Sequence, residues 1–309
     1  MRKLSFIISL AVCALSALPA GAAGDNAGKS AAMAFSAVNS DPVSLGMGGA
    51  GLALTSSPAW ASFGNISSLA FNEKVFALSA GYRQWAPGKD NCPEGGLSIK
   101  LGRSFWLSAG GGFQTGESIT EYDASGNSMG EFTPSALRVN LGAAYRINGF
   151  LGAGVAAHFL HSAVASNAKY STVSFDLSAI AKFAGFNVSA GARNIGLPVK
   201  DGEGQSHMVP GEIFVAGAYP LHFGESSLNI AADAAAYISG GLAASAGVEY
   251  GFKDLIFVRA GGRVSNAALP GFLSAGLGFK LKGLSLNAAY VILPQELSNS
   301  FCASLAFAF

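Results

Sequence analysis

Few residues in this chain have types and spacings that suggest chemistry. His158 and His161 are three apart, a spacing found in some metal sites. On a helix that spacing puts two side chains on one face, but on a strand it puts them on opposite faces. The segment around them alternates as a strand does, so no metal ion is expected there. Serines are plentiful, yet no serine motif singles out a nucleophile beside a histidine, and no catalytic set is expected. Gly46-Met47-Gly48-Gly49-Ala50-Gly51 fits the G-x-G-x-x-G pattern of dinucleotide sites. No apolar strand precedes it and no amphipathic helix follows, so the glycines read as close packing of backbone and no cofactor is expected.

The elements that would carry these residues are strands. In Phe301–Phe309, Phe301, Ala303, Leu305, Phe307 and Phe309 alternate with Cys302, Ser304, Ala306 and Ala308, giving one greasy face and one of small residues. Similar runs recur from Val75 onward, about fourteen in all, an even number as single-chain bacterial barrels have. The joins alternate in length. Arg103-Ser104, Ala184-Gly185 and Lys253-Asp254 are brief, whereas Gln84 to Gly95, Thr115 to Pro134 and Asn194 to Gly211 are long. Short turns on one side and long loops on the other are the signature of a transmembrane antiparallel β-barrel, an all-β fold, and a soluble sandwich has no reason to show them.

Composition agrees. The chain is 50% hydrophobic and only 12% charged over 309 residues, against roughly 25% charged in soluble domains. With 19 Lys and Arg against 18 Asp and Glu, there is no electrostatic footprint for nucleic acid. Met1-Arg2-Lys3, an apolar run and Pro19-Ala20-Gly21-Ala22-Ala23 have the order of a secretory signal, so residues 1–23 are expected to be cleaved. Residues 24–73, low in charge and without a long alternating run, form a hatch segment for the lumen, and residues 74–309 form the barrel. The location is then the bacterial outer membrane, with its lipid as one partner.

Counting faces along the strands from Ser135, Thr172 and Ser227 puts every charge inward. Leu137, Val139, Leu141 and Tyr145 look out and Arg138 looks in. Arg or Lys at the bilayer midplane on the lipid side costs about 2–4 kcal/mol, which is the reason for such sorting. Inward Arg138, Asp176, Arg193, Asp233, Glu249 and Arg259 are expected to pair with one another and with the hatch. Cys92 falls in the first outer loop and Cys302 near the outer end of the last strand, facing inward. A disulfide between them would staple the closure, and the alternative is two unrelated small residues.

A family resemblance joins these pieces. Asp41-Pro42-Val43-Ser44-Leu45-Gly46-Met47-Gly48-Gly49-Ala50-Gly51 and Ala61-Ser62-Phe63-Gly64-Asn65 resemble the N-terminal signature of the PorV/PorQ family, FadL-like outer-membrane barrels associated with type IX secretion. Asn65-Ile66-Ser67 stands where that family has Asn-Pro-Ala. Arg193-Asn194-Ile195-Gly196, Gly247-Val248-Glu249-Tyr250 and Val258-Arg259-Ala260-Gly261 are similar to later segments, and the length fits a PorQ-like branch. The resemblance implies a hatch motif at Ser44, Gly46, Gly48, Gly49, Gly51 and Asn65. The ending at Phe307 and Phe309 resembles the assembly signal read by the barrel assembly machinery. For function the resemblance implies a structural or interaction role in type IX secretion or in surface attachment of secreted proteins, with other secretion proteins or cargo as partners. The alternative is a FadL-like channel for small hydrophobic molecules.

Overall fold

The computed structural model describes residues 32–309 except 86–89, 203, 268, 295–296 and 298; the expected signal segment lies outside the described residues. Eighteen strands follow one another: β1 Phe76–Trp85, β2 Asp90–Leu101, β3 Phe105–Thr115, β4 Ile119–Tyr122, β5 Ser128–Phe132, β6 Ser135–Arg146, β7 Leu151–Ala165, β8 Ala168–Phe183 and β9 Phe186–Gly196. Then come β10 Val199–Lys200, β11 Ser206–His207, β12 Glu212–Phe223, β13 Ser226–Tyr237, β14 Leu242–Phe252, β15 Ile256–Ser265, β16 Phe272–Leu281, β17 Leu284–Ile292 and β18 Ser300–Ala308. Two short hairpins, β4–β5 and β10–β11, stand apart, and the other fourteen strands form a closed antiparallel barrel. They ride on the long joins, which fixes that end as the outer one. The tight turns at Gly185, Gly224 and Gly283 mark the periplasmic end.

Closure is made by β1 and β18, paired from Ala77 with Ala308 to Gln84 with Phe301. The Phe309 carbonyl accepts the Val75 amide at 2.7 Å and the Phe76 amide at 3.2 Å, and its ring lies 5.6 Å from that of Phe76. This satisfies the first donors of β1, which would otherwise be orphaned at a sheet edge. Alternation fixes the faces as read from the sequence: Leu141, Leu177 and Leu277 are each more than 60% exposed, while Arg138, Asp176 and Ser178 on the same two faces' reverse are buried. An apolar belt of this kind is stable only against hydrocarbon.

Two expectations need correction. β2 begins at Asp90, so Cys92 is a wall residue and not a loop residue. Arg83 pairs in register with Cys92 on one side and with Cys302 on the other, which sets the two cysteines two strand spacings apart, about 10 Å. A disulfide needs Cα atoms within about 7 Å. Both are free, buried thiols.

The hatch fills the bore. Its pieces are a 3₁₀ turn at Ala34–Ala37, a short helix α1 at Pro42–Gly46, and 3₁₀ turns at Pro58–Phe63 and Ile66–Phe71. Asp41 starts α1 by accepting the Val43 amide at 3.0 Å, and Pro42 occupies the first helical position, where its missing N–H is harmless. Asn65 does the same for the last turn through the Ser67 amide.

Candidate functional site

The site is the contact between hatch and wall, and glycine makes it possible. Gly48 has φ +75°, and a Cβ there would overlap the Gly262 backbone. Side chains at Gly247 or Gly261 would overlap the Met47 backbone. Wall and hatch therefore meet backbone to backbone, and no L-residue with a side chain fits. Gly46 likewise lies against Gly276, and Gly48 N–H donates to Ser274 Oγ at 2.9 Å. The G-x-G-x-x-G pattern is thus used for close approach.

Around that contact the polar side chains form three levels. At the outer level Glu94 receives Arg83 at 2.9 Å and lies 3.6 Å from Arg138. Arg138 also donates to Ser36 O at 2.9 Å and Ser40 Oγ at 2.7 Å, with its guanidinium over the Phe63 ring. Asp176 meets His158 at 3.0 Å and accepts the Asn194 amide, Asn194 having the positive φ that lets two residues of β9 face one of β8. Arg193 pairs with Glu212 at 2.7 Å and donates to Gly64 O at 2.9 Å.

At the middle level the Asp233 carboxylate accepts the amides of Gly51 and Leu52 at 2.8 and 3.0 Å. Asn65 Nδ2 donates to Leu52 O and to Ser189 Oγ, and Ser44 Oγ donates to Ala50 O. At the inner level Arg259 and Glu249 pair at 2.6 Å, with Asn229 donating to the same carboxylate. Each buried charge thus has a partner, as it must where an unpaired one would cost several kcal/mol.

The six luminal charges read from the sequence all point inward, but only Glu249 and Arg259 pair with each other. Arg138, Asp176, Arg193 and Asp233 take other partners. Sequence reasoning missed Glu94, Arg83, His158 and Glu212 as those partners. Glu94 was findable, since it shares the face of Gly96 and Ser98 two and four residues on. Pro93 hid it by suggesting a loop. His158 and His161 lie on opposite faces, the first with Asp176 and the second with Ser171. Among the described residues no group of three metal-ligating side chains gathers.

Apolar contacts complete the seat. Met47, Leu52 and Ala53 pack on Phe214 and Tyr237; Val38 and Leu45 on Trp85, Phe272 and Val291; Ile66 and Leu69 on Trp106 and Ala156. Two of the remaining cavities flank α1. The outer one, about 50 Å³, is lined by Val38, Leu45, Leu52, Trp85, Leu269 and Phe272 and equally by Arg193, Glu212, Asp233 and Arg263. The inner one, about 460 Å³, opens among Val43, Trp60, Lys74, Asn229, Phe257 and Lys280. Helix α1 supplies Leu45 to one and Val43 to the other and so stands as the partition.

This is the architecture of FadL-like outer-membrane barrels, and solved structures bear the comparison out. The monoaromatic hydrocarbon channel CymD superposes with a TM-score of 0.64 at 14% identity, covering 88% of this chain and 98% of that one. The toluene transporter TbuX of Ralstonia pickettii gives 0.62 at 12%, covering 86% and 97%. A FadL homologue of Pseudomonas aeruginosa gives 0.57 at 13%, covering 87% and 98%. No protein-family model matches the chain, and no curated protein matches it either. The likeness supports the outer membrane as its location.

Proposed function

We propose that the chain is an outer-membrane channel for small hydrophobic molecules, with the hatch as its gate. The observation that carries this reading is the pair of cavities on either side of α1, the outer one lined by Val38, Leu45, Trp85 and Phe272 together with Arg193, Glu212, Asp233 and Arg263. The partition is one short helix thick and meets the wall backbone to backbone at Gly48, Gly247 and Gly261, so opening a route takes a shift of that helix together with Leu45 and Met47 leaving their apolar seats. The barrels of similar fold include a monoaromatic hydrocarbon channel and a toluene transporter, which supports this choice of ligand class. The charges around the hatch do not forbid such a ligand, since most are engaged in ion pairs and Asp233 is engaged by the Gly51 and Leu52 amides. Flux of a small aromatic hydrocarbon into proteoliposomes tests the reading. A rate equal to that of protein-free liposomes, with correctly folded barrel present, sinks it.

A structural role in type IX secretion or surface attachment is the second reading, and it rests on the outer hairpin β4–β5. That hairpin presents Ile119, Tyr122 and Met129 to solvent, an apolar patch suited to a secreted or surface partner. Assembly through a machinery that reads Phe307 and Phe309 is part of either reading. A deletion strain that displays all its cargo yet loses hydrocarbon uptake separates the two. No catalytic role is assigned.

A further inference from the structure

Higher in the bore, Arg83, Arg193 and Arg259 each lie within 2.9 Å of a carboxylate. At the periplasmic mouth that balance is lost. The last inward-facing residue before the turn is basic in five strands: Lys100 in β2, Arg146 in β6, Lys182 in β8, His222 in β12 and Lys280 in β16. Lys74 joins them from the end of the hatch, and Arg103, Lys253 and Lys282 lie in the turns. The acids at this end are Glu73, Glu225 and Asp254, of which Glu225 is taken by Lys253 at 3.5 Å and Asp254 by Lys280 at 2.7 Å. Glu73 acts on Lys182 only from beyond 4.0 Å. Among the described residues Lys74, Lys100, Arg146 and Lys182 form no ion pair. Aromatic rings hold three of these cations in place. Lys100 Nζ lies 4.9 Å from the Trp106 ring, Arg146 lies 5.3 Å from both Trp106 and Phe71, and Lys182 Nζ lies 5.1 Å from Phe71. A ring face orients a cation but does not cancel its charge. Beside them opens the inner cavity of about 460 Å³, with Lys74, Lys182, His222 and Lys280 in its lining.

The wall order β8, β7, β6, β3, β2 spaces Lys182, Arg146 and Lys100 two strands apart, about 10 Å at each step. A small anion reaches one of them, or two at most. An extended chain with acidic side chains spans all three, since its same-face side chains recur about every 7 Å. One sign of charge gathered in a concave mouth also draws such a chain in. We propose that the periplasmic mouth is a docking surface for an extended acidic segment of a periplasmic protein, held by Lys100, Arg146 and Lys182 along the rim and by Lys74 at the cavity. Charge complementarity names the partner's chemistry, as it does for acidic motifs read by basic clusters elsewhere. Bilayer headgroups do not fit, because these strand side chains face the bore. The surface is independent of whether the bore conducts.

The full chain in phosphatidylcholine nanodiscs is titrated with fluorescein-labelled deca-glutamate, and anisotropy reads the binding. Saturable binding is expected, about tenfold weaker in about 300 mM salt than in about 50 mM because exposed charges are screened. Deca-lysine should not bind. Lys100→Gln with Lys182→Gln is expected to weaken binding about fivefold to tenfold, the effect of two exposed ion pairs, with electrophoretic heat-modifiability kept. Arg146 is left alone because its Nε donates to Ala70 O of the hatch. Lys74→Gln, outside the ring contacts, should weaken binding about twofold to threefold and carries the test if the pair fails to fold. Lys169→Gln with Lys200→Gln, at the outer mouth, should leave binding unchanged. Binding that is absent, or that the inner variants do not weaken, overturns the docking surface. Equal weakening by the outer pair overturns its sidedness. Free glutamate competing as well as the peptide at equal carboxylate concentration reduces the mouth to a site for single anions and overturns the docked segment.

Discussion

Asp233 on the wall and Gly51 in the hatch are joined by a hydrogen bond of 2.8 Å from the glycine amide to the carboxylate, which takes the Leu52 amide as well. One side chain thus satisfies two successive backbone donors of a loop that has no regular structure of its own. Asp233→Ala leaves both amides without that acceptor, at about 1–3 kcal/mol for a buried unsatisfied group. The expected result is a barrel that still resists heating in detergent but whose hatch is cut faster by proteinase K and whose hydrocarbon flux rises. Unchanged cleavage and flux would show that Asp233 does not hold the gate.

Gly247 and Gly261 test the backbone contact from the other side. Valine at either position collides with Met47 while its β-propensity favours the strand, so the wall should form and the hatch should fail to seat. Electrophoretic heat-modifiability is expected to be retained, with the segment before β1 cleaved in the folded barrel. A hatch as protected as in the native protein would contradict the close approach.

Arg259 and Glu249 face each other at 2.6 Å, each less than 5% exposed. Removing one partner, as in Arg259→Met or Glu249→Leu, strands a buried charge and is expected to cost about 3–5 kcal/mol in urea unfolding. The double variant should lose less than either single one, because no orphan remains. Additive losses would mean that the pair is not an energetic unit.

The strand pattern, the parity of long and short joins and the inward charges were legible because membrane and lumen impose a strict period of two. Partner choice was not legible. Arg138 meets Glu94, and Arg193 meets Glu212, across register positions that follow from strand stagger, which no local pattern records. The cysteine bridge failed as well. Cys92 lies on β2 and not in the expected loop, so it and Cys302 flank β1 on opposite sides of Arg83 with a whole strand between them. Titration of both Cys92 and Cys302 as free thiols after unfolding without reductant, and equal mobility with and without it, are the expected outcome. A single band shifted by reductant would restore the bridge.

Asp41 gives a pH dependence. Burial raises its carboxyl above the usual range, against the pull of hydrogen bonds from Ser57 and Val43 and the charge of Arg259. With the folded value above the unfolded one, its contribution is fully favourable below pH 3.8 and is lost as pH rises through the folded value. Asp41→Asn keeps a cap for α1 but carries no charge to desolvate. Its stability relative to the native protein is therefore expected to improve from pH 4 upward and then level off, as read by urea midpoints across pH. A constant difference at all pH values would remove Asp41 as the source.

The seam between β1 and β18 has a temporal side. The chain runs from inside the bore directly into β1, and β1 completes its ladder only with the strand that follows all the others in sequence. While that seam is open the hatch can enter sideways. Once the Val75 and Phe76 amides have found Phe309, that side door is shut and the plug can pass only by the two mouths.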